Sequence, residues 1–286
     1  MLSFPLDLKS IVDKNDYSTL KIVMEKVVEI ANLAAHKIID VYLDDDFDVH
    51  IKHDKSPVTE ADLLAHHFIV EQLTALSGNI PILSEESTST DWQQRKDWPL
   101  YWLIDPLDGT KEFVDRNGEF TVNIALVNQG QPIMGIVQAP VLDTVYFAAK
   151  NIGAFKSSSS NITSSIKVRN VPVVDDQQIF TVAIGRGCVS DKLKEFYQAL
   201  PGHNTIRIGS ALKTCLIAEG LADIYPRFGK TSEWDTAAAQ CILECAGGCV
   251  SDMQLNHLSY NTKDCLLNPE FIAYGDKSID WSCFFS

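Results

Sequence analysis

Positive charge is scarce in this chain: 24 Lys and Arg face 38 Asp and Glu, a formal net charge of −14 over 286 residues. Such a surface repels polynucleotide phosphates, and no basic stretch with interleaved aromatics offsets it, so polynucleotide binding is excluded. A small phosphorylated ligand stays compatible with this acidity, because a bound cation can reverse the local sign of the field. No apolar run approaches the ~18 residues needed to cross a bilayer. Met1-Leu2-Ser3-Phe4-Pro5 lacks a basic region followed by a sustained apolar one, so no secretory signal is readable and a soluble, cytoplasmic protein is expected. Seven cysteines, an odd number, fit reduced thiols better than a disulfide framework. Cys241, Cys245 and Cys249 recur every four residues without the close pairing of a zinc knuckle, and read better as small buried helix residues. Asn161-Ile162-Thr163 matches a glycosylation acceptor but means nothing without secretion. No Ser occupies a Gly-x-Ser-x-Gly elbow, which argues against a serine hydrolase. The histidines form no metal set: His66 and His67 point in different helical directions, and His53 lies in a polar loop. No internal repeat is visible.

What is present is the composition of an ordinary globular protein, long enough for two domains or one large one. In 18–42, Leu20, Val23, Val27, Ala31, Ala34 and Ile38 step by three or four, the period of an amphipathic helix. A second such pattern follows Thr59, with Ala65, Ile69, Leu73 and Leu76 on one face and Ser77-Gly78-Asn79 ending it. The runs 81–83 and 101–104 read as short buried strands, and 122–127, 133–137 and 144–148 as an antiparallel meander. The polar stretch 157–161 suggests a boundary, giving an N-terminal α+β subdomain over 1–156 and a C-terminal α/β subdomain over 157–286. In the second, strands are expected near 180–184, 205–208 and 222–225, with helices from Asp191, over 210–219 and over 236–246.

Asp105-Pro106-Leu107-Asp108-Gly109-Thr110 puts two carboxylates three positions apart at the lip of a strand, followed by backbone N–H groups that suit an anion. Asp, Pro and Gly also make ordinary turns. Glu85 and Glu86 follow another strand end, where adjacent carboxylates repel each other unless water surrounds them or a cation lies between them. Thr59-Glu60-Ala61-Asp62 is explained by a capping box, and Asp62 gains a further role only if its helix points at the acidic set. Trp234-Asp235-Thr236 opens a helix, where the macrodipole favours an acid whatever its task, and Gly209-Ser210 is a plain cap or an anion site.

Taken together, Glu85-Glu86, the run from Asp105 to Thr110 and Trp234-Asp235-Thr236-Ala237-Ala238 resemble the lithium-sensitive, magnesium-dependent phosphomonoesterases of the inositol monophosphatase superfamily, over nearly the whole chain. Lys55-Ser56-Pro57-Val58-Thr59, the stretch from Arg116 to Leu126, and Tyr225-Pro226-Arg227-Phe228-Gly229 resemble more closely its CysQ-type 3′(2′),5′-bisphosphate nucleotidases. The resemblance implies a layered αβαβα sandwich of α+β class with the metal site between two subdomains. It implies two or three Mg²⁺, held by Glu85, Asp105, the Leu107 carbonyl, Asp108 and Asp235. Asp62 and Thr110 would activate water; Glu85, Leu107, Asp108, Gly109, Thr110, Arg186, Gly209, Lys213 and Asp235 would meet the substrate. The implied reaction is hydrolysis of 3′-phosphoadenosine 5′-phosphate, or its 5′-phosphosulfate, in support of sulfate assimilation. An inositol or sugar phosphatase, or a non-catalytic sensor, are the alternatives. A monomer or a homodimer, and peripheral contact with the inner face of a membrane, are left open. The chain departs from the pattern at Gly185-Arg186-Gly187-Cys188, where relatives commonly carry Ser-Arg-Ser-His.

Overall fold

The computed structural model describes residues 5–44, 49–51, 57–87, 90–158, 162–174, 177–187 and 189–285. Met1 to Phe4, His53, Lys55, Ser56, Asn161 and Cys188, which entered the sequence reading, lie outside the described residues.

The apolar stripe of the first periodic segment does form a helix, Tyr17–Tyr42, started by Asp16, whose carboxylate accepts from the Thr19 N–H. It packs beside helix Glu60–Ser77 on one face of a seven-stranded sheet. In order across that sheet run Ile82–Ser84, Leu100–Asp108, Thr121–Asn128, Gln131–Ala139, Thr144–Ala149, Gly153–Ser158 and Ser164–Ser165. The first pair is parallel and every later one antiparallel, so the expected meander is present. It runs on to Ser165, past the expected division at 156/157.

Strand side chains alternate between faces, and here both faces are covered. Trp102 and Ile104 join the core beneath the two long helices, with Val23, Val27, Ala65 and Ile69. Tyr101 and Leu103 join a second core on the opposite face, with residues of helices Leu212–Ala218 and Glu233–Cys245. Beyond those helices lies a five-stranded sheet in the order His203–Arg207, Phe180–Ile184, Ile224–Arg227, Phe271–Tyr274, Cys249–Asp252. Its outer face buries Val182, Ile184 and Ile272 against Phe196 of helix Asp191–Ala199 and Trp281. Helices, sheet, helices, sheet, helix: this is the expected αβαβα layering.

Some boundaries differ from the sequence reading. The helix placed from 236 starts at Glu233, because Ser232 and Asp235 close a capping box. The helix placed over 210–219 is Leu212–Ala218, with Ser210 in a left-handed turn at φ 51°. Cys249 lies in a strand, so only Cys241 and Cys245 share the helix. No helix among the described residues is long and apolar enough to cross a membrane.

Helix Glu233–Cys245 approaches the first sheet through Gly135: a Cβ there would lie 2.2 Å from the Ala238 carbonyl oxygen. Any side chain must push the helix off the sheet. Gly135→Ala should therefore destabilise the protein by on the order of 2 kcal/mol and reduce activity by displacing Asp235. An unchanged melting temperature would show that the contact is not tight.

Candidate active site

Strand Leu100–Asp108 carries two of the acids and bends between them. Asp105 pairs with Asn123 and Asp108 with Thr121, so one extra residue is accommodated at Pro106-Leu107. This is a bulge, one of the positions where a strand tolerates proline. The Leu107 N–H donates back to Asp105 Oδ1 at 3.1 Å, closing an Asx turn. On the parallel neighbour Ser84 lies opposite Ile104, which brings the following residue, Glu85, beside Asp105. Asp235 arrives from the other half of the chain, in the first turn of its helix, with its Oδ2 accepting from the Ser232 N–H at 2.9 Å.

Carboxylate oxygens of Glu85, Asp105 and Asp235 lie within 4.8 Å of one another. Asp105 is 1% exposed, and its Oδ2 is buried without a hydrogen-bond partner. Burial first, then the charges of Glu85, Asp108 and Asp235, push the Asp105 carboxyl well above the usual range. Asp235 is pushed up to about 8, by burial first and then by Asp108. Asp108 is raised by burial, against the opposing pull of Lys213 and Asn123. An all-oxygen donor set with an orphaned buried carboxylate oxygen fits a hard divalent cation. Asp108 stands outside the tight threesome. Its Oδ2 accepts from Asn123 Nδ2 at 3.3 Å, with Thr121 Oγ1 at 3.5 Å.

Helix Glu60–Ser77 does point at this cluster. Its N-terminal Asp62 is buried, holds the Thr59 N–H and hydroxyl with Oδ2 at 2.7 and 2.6 Å, and offers Oδ1 to the Thr110 hydroxyl at 3.4 Å. One carboxylate thus serves both as cap and as partner of Thr110. Between Asp108 and Thr110, Gly109 has φ +94°, and a Cβ there would meet Ser210 Oγ at 2.3 Å. Ser210 Oγ lies 2.8 Å from the Asp108 carbonyl and 2.7 Å from that of Glu119, and donates to either.

Asp108, Gly109 and Asp235 line a cavity of about 220 Å³ together with Glu112, Arg186, Lys213 and Arg227. Lys213 is buried, donates from Nζ to the Ser210 carbonyl at 2.5 Å, and sits over the Tyr225 ring. Burial draws its pKa down to about 8 despite Asp108 nearby. Arg186 is paired with Glu119, through Nε at 2.6 Å and through Nη2, while the Gly209 N–H donates to the same carboxylate at 2.9 Å. A larger cavity, about 320 Å³, lies between helix Tyr17–Tyr42 and the first sheet and shares no residue with the acidic set.

Ten of the sequence-predicted residues gather around the acidic cluster and the smaller cavity, and Leu107 lies in the bulge between the two aspartates. Glu119, Asn123 and Arg227 were not named as site residues. Arg227 had a readable signal, since it ends a strand of the second sheet, and α/β sheets bind ligands outside their carboxyl ends. Glu119 lies in the stretch from Arg116 to Leu126 that carries the resemblance, but its partners Arg186 and Gly209 are remote in sequence and nothing local marks its role.

Residues 20–278 match the model of the inositol monophosphatase family. The chain is 46% identical over 249 residues to the 3′(2′),5′-bisphosphate nucleotidase CysQ of Salmonella typhimurium, covering 87% of this chain and 98% of that protein. It is 39% identical over 238 residues to the CysQ of Haemophilus influenzae, covering 83% and 87%. Among solved structures it resembles CysQ from Bacteroides thetaiotaomicron, with TM-score 0.76 and 36% identity over 89% of this chain and 97% of that one. The fold alone is shared with the suhB protein of Bartonella henselae, at TM-score 0.73 and 23% identity over 92% and 97%. The acidic set that joins both halves of the molecule, the layered sandwich around it and these matches agree: the chain belongs to the inositol monophosphatase family.

Proposed function

We propose that the protein is a Mg²⁺-dependent 3′(2′),5′-bisphosphate nucleotidase that hydrolyses 3′-phosphoadenosine 5′-phosphate to AMP and phosphate. The observation that carries this reading is the meeting of Glu85, Asp105 and Asp235, from three separate segments, around the unpartnered Asp105 Oδ2, with Asp235 also lining a cavity that it shares with Arg186, Lys213 and Arg227. The identity to CysQ relatives supports the substrate class.

Glu85, Asp105 and Asp235, with Asp108 and the Leu107 carbonyl beside them, would hold two or three Mg²⁺. Bound there, the metal supplies positive charge for the phosphate oxygens and lowers the pKa of water. The chain's own residues supply the rest. Thr110 Oγ1, donating to Asp62 Oδ1, keeps lone pairs to hold the attacking water. As that water's proton moves to Thr110, the Thr110 proton moves to Asp62, so no covalent enzyme intermediate is needed. Backbone N–H groups of Gly109 and Thr110 would receive the phosphate, with Lys213, Gly209 and Arg186 on the nucleotide side. Part of the same reading are a division of labour between residues 1–156 and 157–286, a cytoplasmic setting, and a monomer or homodimer. An apolar anchor is not required for a small, water-soluble substrate.

The substrate is tested by comparing kcat/KM for phosphate release from 3′-phosphoadenosine 5′-phosphate, inositol 1-phosphate and fructose 1,6-bisphosphate in Mg²⁺. The nucleotide should be preferred, and a preference for either of the others sinks the assignment.

Asp105→Asn should abolish turnover, and in chelator-containing buffer it should raise the melting temperature by relieving carboxylate repulsion. Retained turnover would contradict a central role for Asp105.

The raised carboxyl pKa values also set a pH dependence. Asp235 titrates at about 8 in the folded chain against an ordinary 3.8, so across that window the folded state holds the extra proton. Stability of the metal-free protein should therefore fall as pH rises through it. Mg²⁺ binds the ionised cluster, so its addition should raise the melting temperature more at about pH 8.5 than at about pH 6. Equal gains at both would place the metal elsewhere.

A further inference from the structure

Two of the three bases around the cavity bond to backbone carbonyls. Lys213 is buried and bonded to that of Ser210, and Arg227 donates from Nη2 to that of Lys230 at 2.9 Å, with its buried Nε unpartnered. Arg186 is different: its side chain is 48% exposed, and its guanidinium bonds to a carboxylate. A Cβ added at Gly185 or at Gly187 would find nothing within 4 Å. What orients the guanidinium is Glu119, whose Oε2 takes Nε at 2.6 Å while Oε1 takes Nη2.

Glu119 is itself fixed by the cavity wall. Its side chain is 13% exposed, its Oε2 accepts from the Gly209 N–H at 2.9 Å, its own N–H donates to Asn117 Oδ1 at 2.9 Å, and its carbonyl lies 2.7 Å from Ser210 Oγ. Hydrogen bonding from Arg186 holds its carboxyl below the usual range, so it stays ionised. The arginine's edge carrying Nε and Nη2 is occupied, and Nη1 is left for a ligand. A planar guanidinium clamped on one edge presents its remaining donor in a defined direction, which a freely rotating surface arginine does not.

We propose that Glu119 is a positioning residue for substrate specificity: it aims Arg186 at the second phosphate of a bisphosphorylated nucleotide, the one that is not hydrolysed. The inference rests on the nucleotidase reading, because only a substrate with a second phosphate gives a separately held arginine something to recognise. The acids and their metal serve one phosphate; Arg186, as the most exposed of the three bases, meets the other as the substrate arrives. No bond is made or broken at Glu119.

The test uses the full chain with Mg²⁺ and two substrates, 3′-phosphoadenosine 5′-phosphate and 3′-AMP, which lacks the second phosphate. Glu119→Gln preserves size but removes the charge and replaces one of the two accepting oxygens by a donor, which breaks the two-point clamp. It should raise KM for the bisphosphate by ~10-fold with kcat little changed, and leave KM for 3′-AMP as in the unaltered protein. Arg186→Ala should do the same, and the double variant should be no worse than Arg186→Ala alone. Glu119→Asp, which retracts the carboxylate by one methylene, gives the same direction with smaller size and replaces the Gln variant if that one does not fold. An unchanged bisphosphate-to-monophosphate ratio overturns the proposal. So does a fall in KM, which would make Glu119 a competitor for Arg186. If the unaltered protein itself shows no preference for the bisphosphate, it is the nucleotidase reading that fails, and this inference with it.

Discussion

Buried carboxylates repel, and the arrangement of this molecule is organised around a place where that repulsion is concentrated. Asp105 is closed off from solvent with one oxygen unpartnered, beside Glu85 and Asp235. In water such a group would be hydrated; here burial and its neighbours hold its carboxyl far above the ordinary range. The cost falls on the packing of three separate elements: the end of a parallel strand pair, the bulge of its longer member, and the first turn of a helix from the second half. Each is fixed by features that have nothing to do with acids. The strand pair is locked by a core on both faces, the bulge by Pro106 and the Asx turn, and the helix by the capping box at Ser232 and its close seat on Gly135.

The seat on Gly135 explains why the two halves are one functional unit. Helix Glu233–Cys245 contributes Ala237, Ala238, Ile242 and Leu243 to the core that also holds Leu103, Ala125 and Val137 of the first sheet and Val250 and Ala273 of the second. A buried network ties the start of this helix to the first half. The Glu233 carboxylate accepts from the Asn261 N–H at 2.7 Å, and Asn261 exchanges hydrogen bonds of 2.6 and 2.5 Å with Arg95. Apolar contact brings the two sheets together across this helix. The network is not fully satisfied: Glu233 Oε1 and Arg95 Nε are buried without hydrogen-bond partners, and the charge of Glu233 is offset by Lys263 Nζ at 3.6 Å.

Much of this was legible in the sequence, for identifiable reasons. The stripe from Leu20 to Ile38 survives as a helix because period and packing agree, and the meander from Thr121 to Ala149 survives because turns such as Asn128-Gln129-Gly130 separate its β-rich runs. The strand read as 101–104 is longer, since the polar Asp105 and Asp108 look like a turn when the bulge that keeps them in the ladder cannot be seen. Strands Cys249–Asp252 and Phe271–Tyr274 have no counterpart in the sequence reading. At the site, each acid had a local explanation, a cap, a turn or a helix start. Only their coincidence with a family pattern, and then in space, removes the local readings. Thr59-Asp62 shows that the alternatives were never exclusive: the same carboxylate closes the capping box and faces Thr110.

The distribution of charge within the cavity carries the argument one step further. The chain as a whole is acidic, so a group of bases in one cavity must be assembled against the average field. The three bases come from the second half, at Arg186, Lys213 and Arg227, and share the cavity with Asp108 at a strand end, Glu112 in helix Thr110–Val114, and Asp235. Lys213 shows the compromise this imposes, its pKa drawn down to about 8 by burial even with Asp108 to sustain it. A phosphate bound there meets acids and bases close together, and a cation held by the acids leaves the bases to act on it unopposed. Discrimination between substrates then depends less on the acids, which any phosphomonoester would use alike, than on how firmly the bases are held. Of these bases the one least restrained by burial is the one clamped by an acid from the first half, and through that clamp the two sheets share in recognition as they already share in the acidic set.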